Sequence, residues 1–269
     1  MRLAFTLPFL LLPLAAGAQT PEKSIQDNSF LLEEAYNQEP GVVQHISTFT
    51  RYRESRDWLY TFTQEWPVPG IQHQFSYTLP YTSLAQSADG RRGVGDILLN
   101  YRYQLLGDGN AKIAVAPRFS LILPTGDRNQ LRGSGATGFQ VNLPVSVVLS
   151  EALVTHWNLG TTYVPGARNG AGDKADLSSW NFGQSLIWLL HPRLNAMLEL
   201  AYTSGEVVTG PGQKARADSF FINPGLRFAI NFPSGLQIVP GLSLPIGTGP
   251  SKGERAIFLY LSFEAPVWK

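Results

Sequence analysis

Residues 71–81 read Ile-Gln-His-Gln-Phe-Ser-Tyr-Thr-Leu-Pro-Tyr, and this stretch decides the fold class. Apolar or ring-bearing side chains occupy every odd position from Ile71 to Tyr81, whereas the positions between them hold Gln, Ser, Thr and one Pro. A period of two places successive side chains on opposite faces of an extended chain. The stretch therefore predicts a β-strand that has one apolar face and one polar face.

The same period recurs along the chain and predicts eleven more strands. They cover residues 42–52, 58–66, 97–105, 111–124, 137–149, 152–164, 178–191, 194–204, 218–231, 235–246 and 255–263. No convincing helical period appears after residue 41. The pattern therefore indicates an all-β fold, and an even number of strands returns the chain to the side on which it began.

The connections between these strands alternate in length. The longer set is 53–57, 82–92, 125–136, 165–177, 204–217 and 247–254. The shorter set is 67–69, 107–110, 150–151, 192–193 and 231–234. Outer-membrane barrels show this asymmetry, because their periplasmic turns are short and their outer loops are longer. We therefore predict a single up-and-down antiparallel transmembrane β-barrel over residues 42–269, in a bacterial outer membrane, with both termini in the periplasm.

Charged residues are divided unevenly between the two faces of the predicted strands. The interiors of strands two to twelve carry no charged residue on the face that holds Ile71 and Tyr81. The opposite face carries Glu65, Asp96, Arg102, Arg118, Glu199 and Arg227. A cation facing lipid at the midplane costs about 2–4 kcal/mol, so a lipid-facing surface should lack charge. Five tryptophans lie on the charge-free face near strand ends, where interfacial girdles form: Trp58, Trp66, Trp157, Trp180 and Trp188.

The composition agrees with a membrane barrel and excludes several other classes of protein. The 269 residues carry a formal net charge of +1, which argues against a nucleic-acid partner, because such binding needs a basic excess. Only 15% of the residues are charged, against about 25% in soluble domains. The chain has no cysteine, which excludes disulfides, thiolate zinc sites and cysteine nucleophiles.

The N-terminal residues have the pattern of an export signal. Residues 1–18 combine Arg2, an apolar stretch up to Leu14 and the small residues Ala16-Gly17-Ala18. This is the composition of a signal peptide that is cleaved before Gln19. The mature chain is therefore expected to begin at residue 19.

Residues 19–41 form a separate periplasmic segment before the barrel. Leu31–Ala35 and Leu32–Tyr36 are apolar pairs four residues apart, so a short helix is predicted. A helix of about ten residues is marginal alone in water and needs a surface on which to dock. We expect the segment either to plug the periplasmic mouth, where lumen arginines can pair with its glutamates, or to remain a flexible tail.

Four prolines lie inside predicted strands: Pro117, Pro144, Pro224 and Pro240. Each lacks the N–H group that a strand ladder needs, and an unpaired backbone group is costly in lipid. The sequence therefore predicts bulges or register breaks at these four positions.

Several short stretches carry a family resemblance. Residues 29–41 read SFLLEEAYNQEPG, and they are followed by Gly93-Val94-Gly95-Asp96, Tyr101-Arg102-Tyr103 and Pro124-Thr125-Gly126-Asp127. With these stretches the chain resembles the outer-membrane transporters grouped under the MetA pathway of phenol degradation. The resemblance extends over nearly the whole mature chain. It implies passage of aromatic or hydrophobic compounds across the outer membrane, and it supplies no catalytic residues.

Polar residues on the inward face are the candidate lumen-lining and binding residues. They are Asp96, Asn100, Arg102, Arg118, Asn142, His156, Glu199 and Arg227. Arg102 and Arg118 lie on adjacent predicted strands, so an open pore should favour anions or anionic aromatics. The alternative is a salt-bridge network that fills the interior. Barrels of about eight strands are filled by side chains and barrels of about sixteen hold a water channel, so twelve strands allow either.

The sequence also offers an enzymatic alternative, an outer-membrane lipid hydrolase. Such an enzyme needs a histidine that contacts a serine and is oriented by Asn or Asp. His156 shares its inward face with Asn158, and Ser146 lies on the preceding strand. Fatty-acid release that is lost on replacing His156 would support this alternative. No histidine spacing indicates a metal site, and neither a metal nor a cofactor is expected.

These observations predict a non-enzymatic outer-membrane channel or transporter for small solutes of aromatic or hydrophobic character. A non-transporting structural barrel is the remaining alternative. The expected partners are outer-membrane lipids, the barrel-assembly machinery and a small-molecule solute.

Overall fold

The structure is a computed structural model that describes residue 25, residues 29–84 and residues 91–267. The predicted signal peptide, residues 1–18, lies outside this part of the chain. Among the described residues, no helix has both the length and the apolar character required to cross a membrane.

The described residues form sixteen strands. They are β1 Val42–Tyr52, β2 Trp58–Trp66, β3 His73–Leu84, β4 Arg91–Val94, β5 Ile97–Tyr103, β6 Ile113–Val115, β7 Arg118–Leu123, β8 Gly138–Ser150, β9 Leu153–Arg168, β10 Lys174–His191, β11 Leu194–Gly210, β12 Gln213–Phe228, β13 Ile230–Asn231, β14 Gln237–Ser243, β15 Ile246–Gly247 and β16 Ala256–Pro266.

These strands close into one antiparallel barrel. The order around the wall is β14, β16, β1, β2, β3, β5, β7, β8, β9, β10, β11 and β12, and β12 pairs with β14 to close the ring. The short strands β4, β6, β13 and β15 extend this wall: β4 pairs with β3, β6 with β8, β13 with β14 and β15 with β12. The predicted twelve-stranded meander barrel is therefore confirmed.

One predicted strand, 111–124, is interrupted at Pro117. The chain leaves the ladder after Val115 and enters it again at Arg118, so β6 and β7 pair separately with β8. Proline removes one N–H donor from the ladder, which is why the predicted break occurs here.

The other three prolines remain inside continuous strands, and each lies opposite an interruption in a neighbouring strand. The amide of Ala116 donates to the Pro144 carbonyl at 3.2 Å, and that of Leu244 donates to the Pro224 carbonyl at 3.0 Å. Pro240 faces the gap between β12 and β13. The ladder on that side of each proline is already broken, so the missing donor costs little. The predicted breaks at these three positions therefore fall in the partner strands.

Two predicted long loops, 165–177 and 204–217, are largely strand. The ladder between β9 and β10 continues to the pair Arg168–Lys174, and that between β11 and β12 continues to Gly210–Gln213. The apolar alternation ends where the wall leaves the lipid, but backbone pairing needs no apolar side chain. The sequence pattern therefore indicated the lipid boundary and missed the end of the strands.

The two faces of the wall differ in the way a membrane barrel requires. Ile257 and Leu259 on the outer face are 50% and 47% exposed, whereas the intervening Phe258 on the inner face is 4% exposed. Aromatic rings meet across neighbouring strands at the long-loop rim, where Trp58 stacks on Tyr81 with ring centroids 5.7 Å apart. An apolar outer band, aromatic rims and a polar interior are the features of an outer-membrane barrel.

The segment before β1 contains no helix in its described residues, 29–41, and the predicted short helix is wrong. These residues run in an extended path inside the barrel. Side chains of the wall accept hydrogen bonds from alternate backbone N–H groups, which replace the bonds that a helix would make to its own carbonyls.

Candidate functional site in the barrel lumen

Residues 29–40, here called the lumen segment, cross the interior of the barrel. Five backbone N–H groups of the segment donate to side chains of the wall: Leu31 to Glu199 at 3.1 Å, Glu33 to Asn158 at 2.9 Å, Ala35 to Ser146 at 2.8 Å, Asn37 to Gln104 at 2.9 Å and Gln38 to Gln74 at 2.8 Å. The acceptors lie on β11, β9, β8, just after β5, and on β3. An extended chain points alternate amides to one side, so the segment presents every second N–H to the wall from Leu31 to Asn37, and the Gln38 N–H adds one more bond.

Arg102 holds the carbonyl side of the lumen segment. Its guanidinium donates to the Glu34 carbonyl at 3.2 Å, to the Tyr36 carbonyl at 2.6 Å and to Asn37 Oδ1 at 3.0 Å. The side chain is 3% exposed, and Glu65 Oε2 on β2 lies 3.9 Å away. The rigid fork of an arginine suits several fixed acceptors at once, so Arg102 fixes three residues of the segment.

Arg118 makes an ion pair with the lumen segment. Its Nη2 lies 2.6 Å from Glu33 Oε1, and the two side chains are 15% and 27% exposed. The same guanidinium donates to Asn100 Oδ1 and Gln140 Oε1, each at 2.8 Å. Arg118 faces Arg102 directly in the register of β5 and β7. The segment therefore binds both predicted lumen arginines: Glu33 neutralises Arg118, and backbone carbonyls of the segment accept hydrogen bonds from Arg102.

Two amide side chains of the wall contact Glu33, and a third is linked to it through Arg118. Asn142 Nδ2 donates to Glu33 Oε1 at 3.0 Å and to Asn158 Oδ1 at 3.1 Å. Asn158 in turn donates from Nδ2 to the Glu33 carbonyl at 2.7 Å. Asn100 reaches Glu33 through Arg118 and also donates to Ser76 Oγ. The predicted residues Asn100, Arg118 and Asn142 thus meet at one point of the lumen.

Glu199 binds the start of the lumen segment. Both carboxylate oxygens accept the Leu31 N–H, at 3.1 and 3.2 Å, and Oε2 also accepts Asn223 Nδ2 at 2.6 Å. The side chain is fully buried. Burying a carboxylate is costly unless donors surround it, and the segment supplies one of those donors.

Apolar side chains of the lumen segment occupy recesses in the wall that glycines create. The Phe30 ring lies against Gly225 and Gly241, and the Leu32 side chain lies against Gly183. A Cβ atom at any of these glycines would overlap the segment's side chain. Phe30 also meets the rings of Phe258 and Tyr260, with centroids 5.6 and 5.9 Å away. The three glycines therefore leave the space on the inner wall that the two side chains of the segment fill.

The serine and histidine of the hydrolase alternative do touch. His156 Nδ1 lies 2.7 Å from Ser146 Oγ, but that oxygen also accepts the Ala35 N–H. The ring of Tyr36 packs edge-on against His156, with centroids 5.9 Å apart. Asn158, which was expected to orient the histidine, binds Glu33. In this arrangement Ser146 and His156 contact the lumen segment.

The two remaining predicted residues, Asp96 and Arg227, lie in different parts of the barrel. Asp96, between β4 and β5 at the long-loop rim, accepts from the Gly126 N–H and from the N–H and hydroxyl of Ser134. It therefore fixes the loop after β7. Arg227 is 1% exposed and borders a cavity of about 120 Å³ that Glu34, Tyr36 and His156 also line.

The mouth at the short-turn rim opens into a larger cavity of about 700 Å³. Its walls include the end of the lumen segment from Tyr36 to Pro40, the turn from Leu105 to Asn110, and residues of the β13–β14 hairpin. The lumen segment forms the inner end of this vestibule. Among the described residues, no group of three or more metal-ligating side chains comes together.

Sequence reasoning missed Gln74, Gln104 and Ser185, which hold the lumen segment. It named Ser146 and Asn158 only for the hydrolase alternative, although both of them hold the segment. The alternation placed each of them on or next to an inward face. An inward position alone does not show which polar side chains bind the segment, because neighbouring wall residues offer them partners as well.

Comparison with known proteins gives a family and two similar folds. A family model described as "Putative MetA-pathway of phenol degradation" matches residues 26–246. The COG4313 outer membrane channel from Pseudomonas putida F1 is 15% identical with a TM-score of 0.63, covering 86% of this chain and 97% of that chain. The NanC porin is 8% identical with a TM-score of 0.55, covering 81% of this chain and 98% of that chain. No curated protein matches the sequence. Since the family model spans more than half of the chain, this outer-membrane β-barrel belongs to the family of the MetA pathway of phenol degradation.

Proposed function

We propose that this protein is an outer-membrane channel for small solutes, and that the lumen segment is its gate. One observation carries the proposal: the backbone of residues 31–38 is held by wall side chains and not by a continuous ladder. A hydrogen bond to a neutral side chain contributes only about 0.5–1.5 kcal/mol net, and one to the Glu199 carboxylate about 1.5–3 kcal/mol, because water replaces each of them when the segment leaves. The segment can therefore exchange between a bound and a displaced state without unfolding the barrel.

The proposed solutes are small molecules of aromatic or hydrophobic character. The family description refers to phenol degradation, and the two similar folds carry the names of a channel and a porin. Departure of Phe30 would leave a recess lined by Phe258, Tyr260 and two glycines. An apolar recess with aromatic walls favours a flat apolar ring over a sugar of the same size.

We propose no catalytic role for the protein. The contact between Ser146 and His156 is the one observation that favours a hydrolase. The lumen segment covers both side chains, and no carboxylate or amide orients the histidine in the described part of the chain. The contact is better explained as part of the wall that receives Ala35 and Tyr36.

Liposome swelling tests the proposed function. Liposomes that contain the protein should swell faster than protein-free liposomes in an iso-osmotic aromatic carboxylate, and a variant without residues 24–39 should accelerate swelling further. A sugar of equal mass is the matched control and should enter more slowly. Swelling that equals the protein-free rate for both proteins and all solutes would contradict the channel and favour a structural barrel.

The orientation of the barrel is a further proposal with its own test. We propose that the long-loop rim faces outward and that both chain ends lie in the periplasm, following the asymmetry of outer-membrane barrels. The chain has no cysteine, so single cysteines report one position each. In intact cells, Ala171→Cys in the β9–β10 turn should react with a membrane-impermeant maleimide. Asn110→Cys at the short-turn rim should react only after permeabilisation, and the reverse pattern would overturn the orientation.

A further inference from the structure

Three arginines lie on the lipid-facing side of the wall, at the long-loop end of β1 and β16. Arg51 pairs with Ile257 in the register of these strands, and the Arg53 N–H donates to the Arg255 carbonyl at 2.8 Å. Residues that face each other across an antiparallel pair point to the same side. Ile257 is 50% exposed on the outer face, so the three arginine side chains continue that face towards the rim.

These arginines begin level with an aromatic girdle and continue past it, since Arg51 faces Trp58 in the register of β1 and β2. Phe49, one outward position below Arg51, meets the Trp58 ring with centroids 5.8 Å apart, and Trp58 stacks on Tyr81. Girdles of this kind mark the boundary between hydrocarbon and headgroups. A cation at the midplane is costly but one near the interface costs about 0–1 kcal/mol, so this position places the arginines among headgroups.

The surroundings carry a net positive charge. Exposed cations in this patch are Arg51, Arg53, Arg56, Lys252 and Arg255, and the nearby acids are Glu54, Asp57 and Glu254. Within the described chain, the only ion pair of the three lipid-facing arginines is Arg53 with Glu54 at 3.9 Å, and these side chains are 73% and 64% exposed. An exposed pair at this distance is weak. The arginines therefore keep their capacity to bind an anion.

The Glu254 carboxylate holds the backbone of the patch, and among the described residues it forms no ion pair with the three arginines. Its carboxylate accepts the N–H groups of Arg53, Glu54, Ser55 and Arg255 at 3.2, 3.0, 3.2 and 2.9 Å. Partial burial acts to raise the pKa of this carboxyl, but the four hydrogen bonds prevail and hold the pKa below its ordinary value. The carboxylate is therefore charged at neutral pH and fixes the backbone that bears Arg53 and Arg255.

We infer that Arg51, Arg53 and Arg255 form a binding site for the phosphate group of a membrane lipid. Guanidinium forks bind phosphate oxygens with two parallel hydrogen bonds, and the three arginines occupy neighbouring positions at one end of β1 and β16. The acyl chains of such a lipid would lie on the apolar outer face around Ile257 and Leu259. Their place on the lipid side of the wall selects a phosphorylated lipid over a phosphate ion in solution.

Binding of a diphosphorylated glycolipid, lipid A, to the full-length protein in detergent micelles tests this inference. Native mass spectrometry should show retained lipid A and little retention of its dephosphorylated form. The double variant Arg51→Gln/Arg255→Gln should bind lipid A about tenfold more weakly, because two charge-assisted contacts are lost. Arg193→Gln, which removes an exposed cation from the opposite rim, should bind as the wild type does. Heat-modifiable electrophoretic mobility checks that each variant is a folded barrel.

Three outcomes would overturn the inference. Equal retention of lipid A and its dephosphorylated form would show that phosphate is not recognised. Unchanged affinity in the folded double variant would show that these arginines are not the site. Complete displacement of lipid A by equimolar inorganic phosphate would identify a site for free anions. None of these outcomes depends on whether the lumen conducts.

Discussion

A variant that lacks residues 24–39 should form open channels in planar bilayers where the full-length protein is mostly closed. The deletion removes every described hydrogen bond between the lumen segment and Glu199, Asn158, Ser146, Gln104 and Gln74, and it also removes the Glu33–Arg118 ion pair. The interior of a twelve-stranded wall then holds water, so conductance should rise several-fold. Single-channel recording at fixed voltage measures this change.

Point variants test the same gate without shortening the chain. Gly241→Ala and Gly183→Ala place a methyl group where Phe30 and Leu32 now lie. Overpacking of this kind costs about 1–3 kcal/mol, which multiplies the ratio of open to closed time by about 5 to 150. Gly205→Ala is the matched control, because its methyl group would meet neighbouring atoms only at ordinary contact distances of 3.6 and 3.7 Å. Traces identical in all four proteins would show that the segment does not gate the lumen.

The ion preference of the deletion variant should depend on Arg102 and Arg118. In the full-length protein Glu33 pairs with Arg118, and the carbonyls of Glu34 and Tyr36 occupy Arg102. Without the segment, the wall at this depth exposes two adjacent cations that face each other in the register. The open variant should therefore prefer anions, and the replacement of both arginines by Gln should move its reversal potential in a KCl gradient towards cations.

A control and a contrary outcome accompany this prediction. Arg193→Gln in the same deletion background changes the total charge at the rim and should leave the reversal potential almost unchanged. An unchanged potential after Arg102→Gln/Arg118→Gln would mean that other groups set the preference and that these arginines only anchor the segment.

The sequence by itself determined the type of fold. The alternation from Ile71 to Tyr81 and its repeats predicted the wall, because lipid on one side and a polar lumen on the other impose a period of two on each strand. The same constraint placed Arg102, Arg118, Glu199 and Arg227 inside, since a charge facing lipid is costly. Pro117 interrupted its strand as expected, because proline lacks the N–H that the ladder needs.

Features with no lipid constraint were harder to predict. The hairpins of β9–β10 and β11–β12 extend past the lipid, where backbone pairing continues without apolar alternation. The lumen segment was expected to be helical from its apolar pairs four residues apart, but the wall supplies acceptors to every second N–H and favours an extended chain. Local spacing cannot reveal partners that lie 67 to 125 residues away in sequence.

Only the tertiary structure decided what the lumen contains. Arg118 and Asn142 face each other in the register of β7 and β8, but only the tertiary structure places Glu33, which precedes the whole wall in sequence, against both. The glycines that receive Phe30 and Leu32 lie inside predicted strands, but no pattern in the sequence shows which side chain fills the space beside them. The strands of the wall can be predicted because lipid imposes a local, periodic pattern on each of them. The position of the lumen segment cannot be predicted in this way, because it depends on contacts between residues far apart in sequence, and these form only in the folded barrel.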